Sequence, residues 1–297
     1  MMINLLLKGL LNSVGVGVIA YLVVCSALIM GQNRLIYKPT LTLNMTPGDL
    51  GMSYEDIWLS VMTPQGKIEQ VHGWWMNPNS YPEKVLLYLH GIGGNISHNL
   101  GTIQTFYNQG YSVFIIDYRG YGLSKGQFPT ESEIYRDSQV AWAYLTQERK
   151  IKPQNIFIYG HSLGGAVAID LGIRKPHAAG IIVENTFTSM MDMVDHSGFI
   201  YKLFPTKLLL HQRFDSLAKL SLLKLPLLLI HGTSDRKVPY TMSETLYEAA
   251  RVPKKLLLVP DAGHLNVSAI APKKYINIVQ EFEQLVNRNQ RQLALEF

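Results

Sequence analysis

Gly160-His161-Ser162-Leu163-Gly164 constrains the fold of this chain more than any other stretch. It stands directly behind the apolar, β-branched and aromatic run Asn155–Tyr159 and directly before the helix-forming run Gly165–Leu171. A G-x-S-x-G between a strand and a helix forces a tight reversal that strains the serine and projects its hydroxyl above the sheet edge. Glycines on either side remove the Cβ atoms that would collide as the chain turns. The Leu163 amide then lies at a helix N-terminus, where negative charge is favoured. The pattern marks Ser162 as a candidate nucleophile; the bland alternative is a structural glycine-rich turn.

The rest of the chain repeats a strand–helix rhythm. Glu55–Met62 and Ile68–Met76 read as a hairpin around Pro64-Gln65-Gly66. Lys84–Leu89, Tyr111–Ile116, Asn155–Tyr159, Ala179–Val183, Pro226–Ile230 and Lys255–Val259 are short apolar strands. Helices are expected over His98–Gln109, Ser132–Leu145, Met242–Ala250 and Lys274–Asn287. Such alternation implies a mostly parallel sheet covered by helices on both faces. Ligands of such sheets bind beyond the C-terminal strand ends, so the residues there are the first candidates for chemistry.

Three of them form a set. A serine hydroxyl needs a base to take its proton and an acid to orient that base. Asp235 stands in the loop after Leu227–Ile230, and His264 in the loop after Leu256–Val259. The order Ser162, Asp235, His264 and the three strand-end positions together fit that chemistry. Glu184, after Ile181–Val183, and Asp261 compete with Asp235 for the orienting role; Asp235 alone fits both loop and order. The strand Val85–Leu89 ends in His90-Gly91-Ile92-Gly93-Gly94-Asn95, whose glycines admit close backbone approach. The amides of Ile92 and Leu163 are the candidate oxyanion donors. His90 reads as a loop-holding residue rather than a base. No His, Cys or carboxylate cluster has metal-ligand spacing and no dinucleotide fingerprint follows the first strand, so no cofactor is implied.

Ahead of the rhythm lies a different kind of segment. From Gly9 to Gly31 no residue is charged, and Val14–Met30 is almost wholly apolar. A helix of this length crosses a hydrocarbon core of about 30 Å. A cleaved signal peptide would have a shorter core and a small-x-small site; none follows Ser26-Ala27, which favours a retained single-pass anchor. Lys8 on one side and Arg34 and Lys38 on the other leave the orientation with little bias. Cys25 is the only cysteine, so there is no intramolecular disulfide, and an apolar filler is a plainer role for it than palmitoylation. Sequons occur at Asn44, Asn95 and Asn266, the last two in segments assigned to the candidate site, where a glycan would block access. The net charge of +5 gives no reason to invoke nucleic acid, since no basic run interleaves with aromatics.

On these motifs the chain resembles the α/β-hydrolase superfamily, specifically its small membrane-anchored hydrolase-domain branch. The likeness runs from about Arg34 to about Asn287. It rests on Asn33–Tyr37, Leu89-His90-Gly91, Asp117–Gly122, Gly160–Gly165, Glu184–Ser189 and the loops carrying Asp235 and His264. The resemblance implies an α/β-hydrolase fold with a mostly parallel central sheet, helices on both faces and a short lid, preceded by one N-terminal transmembrane helix. It implies a serine-hydrolase triad of Ser162, Asp235 and His264, with Ile92 and Leu163 supplying the oxyanion hole. Relatives of this branch include lipid and lysophospholipid lipases and protein depalmitoylases. In that family the oxyanion loop often carries a polar residue where this chain has Ile92, which should make the pocket mouth more apolar.

The expected organisation is an anchor over 1–31, a linker over 32–51, and a hydrolase domain over 52–297 with a lid insertion at about 189–224. Pro39 and Pro47-Gly48 make the linker irregular, although Asn33–Lys38 is a candidate strap. The lid is greasy at Phe199–Phe204 and Leu208–Leu210. It is also basic at Lys202, Lys207 and Arg213, which are candidates to face anionic headgroups. The leading expectation is hydrolysis of carboxylic esters or thioesters, of lipid or acyl-chain substrates, at a membrane. The rivals are a catalytically silent membrane-anchored binding or scaffold protein, and a serine peptidase.

Overall fold

The computed structural model describes residues 2–63, 65–78 and 83–295. In chain order its strands are β1 (Lys38–Pro39), β2 (Tyr54–Met62), β3 (Ile68–Met76), β4 (Val85–Leu89), β5 (Gly93–Gly94), β6 (Ser112–Ile116), β7 (Ile156–His161), β8 (Gly180–Glu184), β9 (Leu227–Gly232) and β10 (Lys254–Val259). Every residue of β4, β6, β7, β8 and β9 is buried, as unbroken apolar runs in a sheet covered on both faces must be. The main sheet has the order β10-β9-β8-β7-β4-β6-β3-β2. It is parallel from β10 to β6, and antiparallel where β3 meets β6 and β2. The expected fold class is borne out. At the β2–β3 turn, Pro64 lies outside the described residues, and the Gly66 amide donates to Thr63 O at 3.0 Å.

Side-chain alternation splits the core into two layers. Leu87, Leu89, Phe114, Ile116, Ile158 and Val183 share one layer with helices α3 (Glu131–Ala143) and α4 (Leu163–Arg174). Leu86, Tyr88, Val113, Ile115, Tyr159 and Ile182 share the other with α2 (Leu100–Tyr107) and α10 (Pro272–Leu295). Helix α10 presents Tyr275, Val279, Phe282 and Val286, a spacing that keeps one helical stripe on the sheet. Thr130 starts α3 with a capping box: its hydroxyl accepts the Glu133 amide while the Glu133 carboxylate accepts the Thr130 amide at 2.8 Å.

The N-terminal helix α1 runs over Met2–Ile36 without a break at Gly31. Gln32–Ile36, expected as the start of an irregular linker, are instead its last turn. No breaker stands among them, and the first residue barred from helical conformation is the one before Pro39. Lys38-Pro39 then pairs in parallel with Gly93-Gly94, so the chain leaving α1 is hydrogen-bonded to the loop after β4.

Candidate active site

Ser162 stands between β7 and α4 with φ 55° and ψ −121°, a conformation that costs a non-glycine residue about 1–3 kcal/mol. The surroundings hold it there. Its amide donates to Glu184 O at 2.9 Å, and its carbonyl accepts the Gly165 amide at 2.9 Å and the Thr186 hydroxyl at 2.8 Å. A Cβ on Gly160 would come within 2.1 Å of Gly164 O, and one on Gly164 within 2.0 Å of Leu89 O. The turn therefore closes only with glycine at both positions.

Asp235 and His264 meet beyond β9 and β10. His264 Nδ1 lies 2.6 Å from Asp235 Oδ2, and Asp235 Oδ1 accepts the amides of Lys237 at 2.8 Å and Val238 at 3.0 Å. Burial alone would raise the Asp235 pKa, but hydrogen bonds from His231, His264 and the Val238 amide hold it well below the usual carboxylate range. An ionised partner at Nδ1 assigns the His264 proton to that nitrogen and leaves Nε2 as the free base. Among the described residues the Ser162 hydroxyl makes no direct hydrogen bond to His264. Both belong to one linked set of loops, since His161, next to Ser162, has its Nε2 2.8 Å from the His264 carbonyl. Burial, then the neighbouring His264, pushes the His161 pKa down to about 3, so His161 is neutral and donates from Nε2.

The competing acids point elsewhere. Glu184 turns its carboxylate away, accepting the hydroxyls of Tyr159 at 2.8 Å and Tyr275 at 2.7 Å, and burial raises its pKa. Asp261 occupies a left-handed turn position (φ 63°) with its side chain exposed.

The candidate oxyanion loop packs on the elbow: a Cβ on Gly91 would lie 3.2 Å from Ser162 Cβ. Neither the Ile92 nor the Leu163 amide donates a hydrogen bond among the described residues, which leaves both available to a ligand. The peptide carrying the Ile92 amide is held by its own carbonyl, since His90 Nδ1 lies 2.8 Å from Gly91 O. Burial pushes the His90 pKa down to about 4, so the ring is neutral and donates. The Ile92 carbonyl is held in turn by the Tyr121 hydroxyl at 2.7 Å and the Lys38 amide at 3.1 Å.

Two further residues escaped the sequence reading. Asn185, at φ 50°, ties three strand-end loops together. Its Nδ2 donates to Gly263 O at 3.3 Å and His264 O at 2.8 Å, while its Oδ1 accepts the Gly232 amide at 3.0 Å. A polar residue tolerant of left-handed backbone, directly after a buried strand, was the available signal. Tyr121 was the other, visible only as part of a Tyr-Gly-rich stretch. Asn95, one of the sequons, is buried with its side-chain amide donating to Thr40 O at 3.0 Å and Thr42 O at 2.7 Å, which leaves it no room for a glycan.

Residues 80–219 match a family model described as serine aminopeptidase, S33. The chain is 32% identical over 249 residues to Alpha/beta hydrolase domain-containing protein WAV2 of Arabidopsis thaliana, covering 76% of this chain and 79% of that protein. It is also 32% identical over 220 residues to Alpha/beta hydrolase domain-containing protein 17B of Homo sapiens, covering 71% and 70%. The chain belongs to the α/β-hydrolase family. Among solved structures it is similar in fold to the Pyrococcus furiosus esterase Pf2001, with a TM-score of 0.68 at 24% identity over 84% of this chain and 98% of that one.

Between β8 and β9 this chain has α5 (Met190–His196), α6 (Thr206–Leu209) and α7 (Ser216–Lys219), with a 3-10 turn at Phe199–Leu203 between the first two. A cavity of about 280 Å³ lies between this segment, Ile92 and the last turns of α1. Its walls are mainly apolar: Leu28, Leu35 and Ile36 from α1, Met190, Met193 and Val194 from α5, and Phe204, Leu209 and Leu210 beyond. Ser162 does not line it; Ile92, packed beside the elbow, is the link between cavity and candidate site. The helix over Leu7–Ile36 is long and apolar enough to cross a membrane. Lys202, Lys207 and Arg213 are exposed on the segment between β8 and β9.

Proposed function

We propose that this hydrolase is a membrane-anchored serine hydrolase cleaving carboxylic esters or thioesters of lipid or acyl-chain substrates. Ser162 attacks the acyl carbon while His264 Nε2 takes its proton. The same imidazolium then protonates the leaving alkoxide or thiolate, and water repeats the sequence on the acyl-enzyme. Asp235 fixes the His264 tautomer and stabilises the imidazolium. The amides of Ile92 and Leu163 receive the tetrahedral oxyanion, each worth about 2.7–4 kcal/mol of transition-state stabilisation. We assign residues 1–31 to the anchor and about 189–224 to the lid.

The observation that carries this reading is the strained Ser162 (φ 55°) and a His264–Asp235 pair at 2.6 Å in linked strand-end loops, with one unengaged amide at the elbow (Leu163) and one in the loop packed on it (Ile92). The acyl preference is supported by the apolar cavity whose lining includes Ile92. A peptidase reading draws on the name of the matched family model, serine aminopeptidase. An aminopeptidase must hold a substrate ammonium, and among the described residues no carboxylate lines this cavity. The detergent-solubilised full chain, offered matched acyl esters, acyl thioesters and aminoacyl amides, is expected to cleave the first two. Cleavage of the amides alone would overturn the reading.

A further inference from the structure

The last turns of α1 are built into the lid. The Tyr21 hydroxyl donates to Leu203 O at 3.1 Å, and its ring stacks on Phe204 with centroids 5.7 Å apart. Gln32 is buried and clamps the lid backbone at three points. Its Nε2 donates to Leu209 O at 3.0 Å, and its Oε1 accepts the amides of His211 at 2.8 Å and Gln212 at 2.9 Å. Asn33 Oδ1 adds a bond from Gln212 Nε2 at 3.0 Å. From Tyr21 to Gln32 is about 16 Å of helix, so the lid lies lengthwise along α1.

That placement sets a depth. The uncharged run between Lys8 and Arg34 is about 37 Å long as helix, against about 30 Å of hydrocarbon. If all the surplus of about 7 Å emerges at the Arg34 end, Tyr21 still lies about 12 Å inside the hydrocarbon, and Phe204 with it. Segments that merely lie in the interface reach about 5–10 Å, so this end of the lid sits slightly deeper. The lid surface suits such a position: Leu203 and Leu208 are 56% and 76% exposed, apolar area that hydrocarbon would remove from water. Lys207, two residues before Leu209 at the level of Gln32, has a stem long enough to carry its ammonium group back to the headgroups.

We propose that the lid is immersed in one leaflet beside α1, and that the cavity between them is filled sideways from that leaflet by the acyl chain of a membrane lipid. The inference rests on the lipid-ester reading above and names where the acyl chain comes from. The cavity volume of about 280 Å³ is nearly twice the engineered cavity of about 150 Å³ that takes up benzene. One wall is the membrane helix itself, and the lining includes Ile92, whose carbonyl is tied to the chain leaving α1 through Lys38. A chain held there presents its carboxyl end toward the oxyanion loop.

The test uses the full-length Ser162→Ala protein in vesicles of phosphatidylcholine doped with phosphatidylcholine bearing a diazirine at one acyl terminus. Adducts after irradiation are located by mass spectrometry. Adducts are expected on the outer face of α1 at Leu22 and inside the cavity at Met193 and Val194. Filling the cavity by Ile36→Trp, or independently by Leu28→Trp, should reduce the cavity adducts several-fold and leave those at Leu22. Adducts at Leu22 with none at Met193 or Val194, or cavity adducts that neither filling variant reduces, would overturn the proposal. Because the serine is absent, this outcome is independent of catalysis, which Ser162-dependent labelling of the unmodified chain tests separately.

Discussion

His90→Phe isolates the contribution of one positioning hydrogen bond to the proposed oxyanion site. The ring packs against Tyr118 and Tyr121, with centroids 4.4 and 5.1 Å away, and phenylalanine preserves most of that contact. His90 Nε2 is buried without a hydrogen-bond partner, and Asp117 Oδ1 stands 3.6 Å away, so only that weak polar contact is lost on that side. What disappears is the 2.8 Å bond from Nδ1 to Gly91 O, which orients the peptide carrying the Ile92 amide. Complete loss of one oxyanion donor costs about 2.7–4 kcal/mol, which sets the ceiling. Tyr121 and Lys38 still hold the Ile92 carbonyl, so the loop stays in place and the ceiling is not reached. A loss of about 1.4–2.7 kcal/mol is expected, about ten- to hundredfold in kcat, with KM nearly unchanged. The assay is steady-state hydrolysis of a chromogenic acyl ester, with thermal unfolding alongside to verify folding. Unchanged kcat in a folded variant, or a loss confined to KM, would refute the assignment.

Asp235→Asn should lower kcat by up to about 10⁴-fold by releasing the His264 tautomer. Because the Asp235 pKa is depressed in the folded chain, its stabilisation is present above the unfolded value of about 3.9 and is lost as pH falls below it. The wild-type advantage in unfolding midpoint over the variant should therefore hold from pH 8 to about 5 and shrink in more acid buffer; a constant gap would contradict this. Asp117 is the opposite case, since burial pushes it up to about 8. Its contribution is full below about 3.9 and lost as pH rises toward 8, so Asp117→Asn should flatten the fall in unfolding midpoint between about pH 4 and 8, and an unaltered slope would count against it. Gln32→Ala leaves the His211 and Gln212 amides unpaired, a penalty of about 1–3 kcal/mol for a buried donor. Hydrogen exchange over residues 203–212 should quicken about tenfold or more, and unchanged protection would show that α1 does not pin the lid.

The sheet was legible because its signals are local. Unbroken apolar runs such as Leu227–Ile230 announce buried parallel strands, and the glycines at 160 and 164 announce a turn that nothing bulkier can make. The strand-end positions of Ser162, Asp235 and His264 followed from the same punctuation. What sequence did not reveal depends on partners far apart in the chain. Gln32 meets the backbone at Leu209, and Asn185 meets the carbonyl of His264, without any periodic signal at either end. The extension of α1 to Ile36 and the pairing of Lys38-Pro39 with Gly93-Gly94 were hidden for a related reason. A proline marks where a helix must stop, but not what the chain beyond it will pair with.

The central claim is that Ser162 is an activated nucleophile. A fluorophosphonate probe applied to the full-length chain in detergent, with Ser162→Ala and His264→Ala beside it, measures this directly. The account predicts covalent labelling of the unmodified chain at Ser162, none in Ser162→Ala, and strongly slowed labelling in His264→Ala. Folded protein that takes up no probe, or equal labelling when Ser162 is alanine, would contradict it.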